Sequence, residues 1–354
     1  MAPDDAQVRE RLLAAGATPA ELAAAPDLQA LVFVAADLGI RPRGAPLSTA
    51  VLAQRSGLDE ARLETLRRLV GLGPAGRSPT AWFESDIEWV RLTEAAATVL
   101  GDEVVTALLR RTGIALAGLA EATSSAFRVN VMSDAIVDRA QAEQLVEVNL
   151  AGAALMDEYS AALGQLFRHL ARETVRLETR AVDAHTELIP TTVGFVDLVS
   201  STELAAHVDA ATLARLVVEF ETVVFDVAVT RGVRIVKTIG DAAMLVADDA
   251  AHLCEAALDL VAWCADHRMF IAARAGVATG DVLAHGGDFY GPTVNRAARL
   301  GHAAPEGTVM VDASTGAALR SHEGFEYERA EPEAHRGLGM VDWGRVQFRP
   351  RSEG

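Results

Sequence analysis

The amino-acid sequence predicts an α+β protein in two parts: an all-helical amino-terminal domain over residues 1–185, and a domain of ferredoxin-like βαββαβ order over residues 189–354. Three observations predict it. Ala-, Leu- and Arg-rich segments with apolar positions recurring about every 3.6 residues fill the first half. Ile189-Pro190 then interrupts the helical pattern, because a proline disfavours helix in the residue before it. Beyond it, short apolar strands alternate with helices. A chain of 354 residues is long enough for two such domains, each with its own core.

In the first half, Gly and Pro punctuate the helices around Pro42 to Pro46 and Gly71 to Pro79. Between these breaks, Ser48 to Leu72 resembles a helix-turn-helix: an Ala-rich helix, a turn at Gly57 and a second helix. Asp59, Glu60 and Glu64 nearly cancel Arg55, Arg62, Arg67 and Arg68, so the segment reads as a structural helical hairpin rather than a reader of DNA. From about Val137 to Val182 the helical pattern continues with few breaks. This predicts long helices leading into the second domain, one of them suited to a dimer seam.

In the second half, TTVGFVD reads as a buried strand, Ser201 to Thr230 as a long helix opened by a Ser/Thr cap, and VRIVKTIGDAAMLVA as two strands folded back at Gly240. An amphipathic helix from Ala251 to Asp266 leads to a strand from Phe270 to Thr279. Gly280-Asp281 then turns into a further short strand, and Val294 to Leu300 opens a third helix.

Composition narrows the functions open to the chain. A formal charge of −17 argues against general affinity for nucleic acid or anionic membrane. Its apolar stretches, such as Leu28 to Ala36, fall short of the roughly 20 residues a membrane helix needs, and the amino terminus lacks the pattern of a secretory signal. The expected compartment is the cytoplasm. Cys254 and Cys264 are too few for a disulfide framework and lack metal-ligand spacing, so both read as reduced helix residues. Every basic residue but one is Arg, and the single Lys is Lys237. Biased coding accounts for the Arg. It does not account for one position that keeps a compact ammonium, which the planar guanidinium fork cannot imitate.

Two constellations carry chemistry. Asp197 closes the strand GFVD and precedes Ser200, Ser201 and Thr202 at a helix start, while Asp241 follows Gly240 at a hairpin tip. Carboxylates at adjacent strand ends can hold two magnesium ions, and amides at a helix start can receive phosphate oxygens. Taken singly, an Asp at a strand end is more often a turn or cap residue. The second constellation is GGDFYGPTVNRAAR, with Asp288, Asn295 and Arg299. Asn295 and Arg299 are four apart, so on a helix they share a face, and an amide beside a guanidinium suits a ribose oxygen and a phosphate. Alone, an ordinary polar surface helix explains that spacing as well.

Together, FVDLVSST, VKTIGDAAM, GVATGDVLA and GDFYGPTVNRAAR resemble the catalytic domain of class III adenylate and guanylate cyclases over roughly Thr191 to Phe348. The resemblance implies two Mg2+ (or Mn2+) per active site on Asp197 and Asp241, purine selection by Lys237 and Asp288, ribose orientation by Asn295, and transition-state charge stabilisation by Arg299. It also implies a cation for the β- and γ-phosphates, for which Arg336 in HRGLG is the candidate, although that loop departs from the family's basic pattern. The expected activity is conversion of ATP to 3′,5′-cyclic AMP and pyrophosphate.

Hydrogen-bond inventory supports ATP. Adenine offers an acceptor at N1 and a donor at N6, and guanine reverses both. Lys is donor-only and ionised Asp acceptor-only, so Lys237 and Asp288 suit adenine. Lys237 and Asp241 flank one hairpin tip, yet in the family such residues serve different sites. A single catalytic domain carrying all six residues therefore implies a homodimer with two split active sites. The helical half resembles, more loosely, the regulatory domains preceding some bacterial class III cyclases, where they restrain the catalytic dimer and can respond to pH. His185, in AVDAHTELIP between the last long helix and the first catalytic strand, is the candidate pH sensor; a solvated linker histidine is the alternative. A proton or a lipid is the candidate regulator. The rival readings are a guanylate cyclase, a catalytically inactive nucleotide-binding module, and a transcription regulator built on the helical hairpin.

Overall fold

Capping chemistry fixes where four helices of the first half begin. In the computed structural model, which describes residues 6–77, 81–131, 139–178, 188–199, 206–267, 272–330, 333–335 and 339–349, the chain divides into two units, Met1–Leu177 and Glu178–Gly354. The first contains α1 (Ala6–Ala14), α2 (Pro19–Ala24), α3 (Leu28–Ile40), α4 (Thr49–Ser56), α5 (Glu60–Leu69), α6 (Asp86–Leu100), α7 (Asp102–Val131) and α8 (Arg139–Glu178). A two-residue ladder, β1 (Pro46–Leu47) against β2 (Trp82–Phe83), accompanies them. Thr18 and Glu21 form a reciprocal capping box at α2 with Pro19 in its first turn, and Asp27, Ser48 and Asp59 cap α3, α4 and α5.

Two small cores hold this unit. Val8, Leu12, Leu31 and Val32 pack with Leu145 and Val146 of α8, and Leu52, Leu63, Leu66, Trp82 and Val90 form the second. The Ser48–Leu72 segment is a helical hairpin turned at Gly57, whose φ of 80° favours glycine. Its four arginines are taken up within the unit, Arg68 by the Thr65 hydroxyl. Arg67 is buried, stacks over Trp82 and donates to the Gly73 and Ala81 carbonyls; Arg62 pairs with Glu94 and Asp102, and Arg55 with Glu84. Along α8, Leu155, Tyr159, Leu166 and Leu170 make an exposed apolar stripe. No helix of the described residues is long and apolar enough to cross a membrane.

The second unit is an eight-stranded sheet with helices. Its elements are β3 (Leu188–Val199), α9 (Ala210–Arg231), β4 (Arg234–Ile239), β5 (Ala242–Ala247), α10 (Ala250–Asp266), β6 (Ala272–His285), β7 (Asp288–Tyr290), α11 (Pro292–Ala303), β8 (Val309–Asp312), α12 (Ala313–Leu319), β9 (Phe325–Arg329) and β12 (Trp343–Phe348), with a separate hairpin of β10 (Glu333–His335) and β11 (Gly339–Val341). The strand order β4-β5-β3-β6 is antiparallel throughout, and with α9 and α10 it makes the expected ferredoxin-like βαββαβ core. β8, β12 and β9 extend it, and β7 folds back on β6.

The period-two alternation of strand side chains divides the sheet into two faces. Val196, Leu198, Ala243, Leu245, Ala275 and Val277 point toward α9, α10 and α12 and form the large core. Cys254 and Cys264 lie in that core as free thiols, and burial pushes the Cys264 thiol up to about 12. The other face, with Val193, Met244, Val246, Ala278 and Val282, receives α11 through Ala297.

Two element expectations are corrected. Gly280-Asp281 does not turn: β6 runs through it for 14 residues, because Gly280 and Asp281 pair with Thr191 and Pro190 in the β3 ladder. The reversal falls at Gly286 and Gly287, which both have positive φ. The long helix α9 starts at Ala210, where Asp209 caps it by accepting from the Thr212 N–H, while Ser201, its expected start, lies outside the described residues.

Candidate active site

The β4–β5 hairpin aims its lysine by means of an irregularity. Ile235 pairs with Leu245 and packs in the large core, Lys237 pairs with Met244, and Val236 is the extra residue of a β-bulge that packs with Met244 on the α11 face. The bulge thus puts Lys237 on the α11 face instead of the core side its alternation with Ile235 would dictate. Asp288 reaches the same place by the Gly286-Gly287 turn. Lys237 Nζ lies 2.5 Å from Asp288 Oδ2, and Asp288 Oδ1 accepts the Phe289 N–H at 2.8 Å. Phe289 is buried beside Met244 and Val193, with the Arg234 guanidinium 4.8 Å above its ring. This ring pegs the β6–β7 hairpin against β4, so residues 51 positions apart meet.

Asp197 and Asp241 are brought together by the β3–β5 ladder. Asp197 pairs with Ala242, and the Leu198 N–H donates to the Asp241 carbonyl at 3.1 Å. Opposite Asp197 on β6 stands Arg274, whose Nη2 is 3.1 Å from Asp197 Oδ2 and whose Nη1 donates to the His302 carbonyl. A guanidinium beside a carboxylate of this pair is a local positive charge in a strongly acidic chain. Two carboxylates at adjacent strand ends are a donor set suited to hard divalent cations that take their remaining ligands from water and substrate phosphates. They fit that role, and among the described residues no cluster of three or more His, Cys, Asp or Glu offers an all-protein cage instead.

The third group rides on α11, which lies almost on the backbone of β6. A Cβ added at Gly276 would come within 1.9 Å of the Gly301 nitrogen and 2.4 Å of the Ala297 oxygen, so only glycine fits there. Thr293 Oγ1 donates to the Asp281 carbonyl at 2.9 Å and secures the start of the helix. Thr293, Ala297, Leu300 and Gly301 form its buried side. Asn295 is exposed, and Arg299 is half-buried with its Nη1 enclosed and without a hydrogen-bond partner. An enclosed guanidinium nitrogen left unpaired is costly to the fold and suited to an incoming anion.

The structure therefore joins Lys237 to Asp288, sets Asp197 beside Asp241, and puts Asn295 and Arg299 on one helix over the same sheet face. Ser200, Ser201, Thr202, Arg336 and His185 lie outside the described residues. Arg274 escaped the sequence reading, although the alternation in AARAGVAT puts it on the face of Asp197. The Gly276–Gly301 approach left no local signal, because it depends on a helix crossing a strand 25 residues away.

Residues 185–343 match the family described as the Adenylate and Guanylate cyclase catalytic domain. The chain is 32% identical over 272 residues to an uncharacterized protein of Mycobacterium tuberculosis, covering 76% of this chain and 72% of that one. It is 42% identical over 149 residues to an adenylate cyclase of Glutamicibacter nicotianae, covering 42% of this chain and 37% of that one. Against a pH-sensitive adenylate cyclase of M. tuberculosis it is 30% identical over 351 residues, covering 94% of this chain and 85% of that one.

Proposed function

Since this chain belongs to the class III adenylate and guanylate cyclase family, we propose that it converts ATP to 3′,5′-cyclic AMP and pyrophosphate at split sites of a homodimer. The observation that carries the choice of ATP is the contact between Lys237 and Asp288. It gathers a donor and an acceptor at one spot, and the edge of adenine offers the complementary pair. Guanine would leave both groups opposed, at about 1–3 kcal/mol each. The adenylate cyclases among the relatives support the same choice.

In this reading Asp197 and Asp241 would hold two divalent ions, Mg2+ or Mn2+, which when bound lower the pKa of the attacking hydroxyl and offset the charge of the triphosphate. The substrate's 3′-hydroxyl displaces pyrophosphate from the α-phosphorus. Asn295 holds the ribose at the attack angle. Arg299 meets the charge that develops on the α-phosphate, a role its unpaired Nη1 supports. Arg274, already beside Asp197, serves the outer phosphates, with Ser200, Ser201, Thr202 and Arg336 as further phosphate contacts.

The homodimer is favoured by the exposed apolar stripe on α8. The helical unit is the regulator in this reading. The pH-sensitive relative, which spans almost the whole chain, supports a proton as the signal, and His185→Gln tests the linker histidine. An unchanged pH profile of the full-length variant would remove His185 from the scheme. The deciding assay incubates purified protein with ATP or GTP and each metal across pH and identifies the cyclic product. Cyclic AMP is expected; cyclic GMP at an equal rate would overturn the base assignment, and absence of any cyclic product would overturn the activity.

A further inference from the structure

Next to the proposed catalytic pair on α11 stands a charge that the reaction does not use. Arg296 follows Asn295 and precedes Arg299 by three residues. Its Nη1 lies 2.7 Å from Asp312 Oδ2, and the Asp312 side chain is only 3% exposed. Asp312 ends β8 and caps α12. Its Oδ1 accepts the Thr315 N–H at 2.9 Å, the Thr315 hydroxyl at 2.7 Å and the Thr279 N–H at 3.3 Å. The Thr315 hydroxyl continues to Thr279 Oγ1 at 2.8 Å, and that to Thr192 Oγ1 at 3.0 Å. The carboxylate is thus rooted in β3, β6, β8 and α12, with one oxygen left for Arg296.

A buried carboxylate so fixed is a poor place to leave a charge unpaired and a good place to anchor one. α11 needs such an anchor. Its contact with β6 at Gly276 and Gly301 brings two backbones together without interlocking side chains and sets a distance, while the bond from Thr293 to the Asp281 carbonyl holds only its first turn. Arg296 stands at the margin of the buried side, where a bond to the sheet opposes rotation of the helix. Rotation would carry Asn295 and Arg299 sideways, and a displacement of about 1 Å at reacting groups costs on the order of a hundredfold in rate.

We infer that Arg296 and Asp312 form a positioning pair that fixes the rotation of α11 and thereby aims Asn295 and Arg299. This inference rests on the cyclase reading above. The test measures steady-state cyclisation and thermal unfolding of full-length Arg296→Met, Arg296→Lys and Asp312→Asn, and combines Arg296→Met with Arg299→Ala. Arg296→Met is expected to lower kcat by about tenfold or more while KM for ATP stays within about twofold, with partial recovery in Arg296→Lys. The double variant is expected to lose less than the product of the two single losses, because part of the Arg296→Met effect acts through Arg299. Losses that multiply, or a kcat of Arg296→Met within about twofold of wild type, would overturn the inference and leave the cyclase reading intact. If Arg296→Met fails to fold, Arg296→Lys and Asp312→Asn carry the test, and wild-type kcat in both overturns it. A wild-type protein with no cyclase activity removes both readings together.

Discussion

At the scale of single residues, the proposed site depends on complementary chemistry at a few positions. Lys237→Met deletes the donor proposed to face adenine N1 and leaves Asp288 with its Phe289 N–H bond, so the preference for ATP over GTP should fall about tenfold to a hundredfold. Comparing kcat/KM for the two nucleotides measures it. Lys237, Asp288, Asn295 and Arg299 were readable in the sequence as candidates, Lys237 as the single lysine and the others within GGDFYGPTVNRAAR, with the motif set carrying their proposed roles. Arg274 was hidden. In AARAGVAT it is surrounded by small residues that read as an ordinary buried strand, and only the register opposite Asp197 discloses it.

At the scale of elements, packing decides where these residues stand. Gly276→Ala would put a methyl group 1.9 Å from the Gly301 nitrogen, so α11 must lift from β6. The expected result is a loss of about 1–3 kcal/mol in urea unfolding, with cyclisation lost before the fold. In the helical unit, burial would raise the Glu21 carboxyl, but the Thr18 N–H and hydroxyl together with Arg41 outweigh it and hold the group below 4.5. Its folded pKa is depressed, so the stabilisation is present above 4.5 and lost as pH falls through the folded value. The difference in melting temperature between wild type and Glu21→Gln should therefore be full at neutral pH and shrink in acid, as calorimetry across pH would show. Element types were largely readable from periodicity, whereas boundaries yielded to tertiary contacts. Gly280-Asp281 has turn chemistry, yet its pairing with Pro190 and Thr191 keeps it in strand, and α9 opens where Asp209 accepts from the Thr212 N–H.

At the scale of the whole molecule, the proposed split sites make a sharp demand. Asp241→Ala and Arg299→Ala subunits should each fall far below the wild-type rate alone, and a purified heterodimer of the two should recover about half of that rate, because one of two equivalent sites is rebuilt. A verified heterodimer without activity would exclude divided sites. The ferredoxin-like order was legible at this scale because strands and helices alternate in sequence, while the extension through β8, β12 and β9 was not, since those strands pair across helices and loops. The pairing of Lys237 with Asp288 has a practical corollary. In a chain with one lysine, whose side chain is 40% exposed, an acylating reagent meets a single ε-amine. A dye or spin label coupled through amine chemistry would attach at one side chain, within the proposed purine pocket, and added ATP should slow its attachment. Peptide mapping, which separates this ε-amine from the α-amine of the amino terminus, would then report nucleotide occupancy as the fraction of protein left unlabelled at Lys237, with no need to introduce a cysteine.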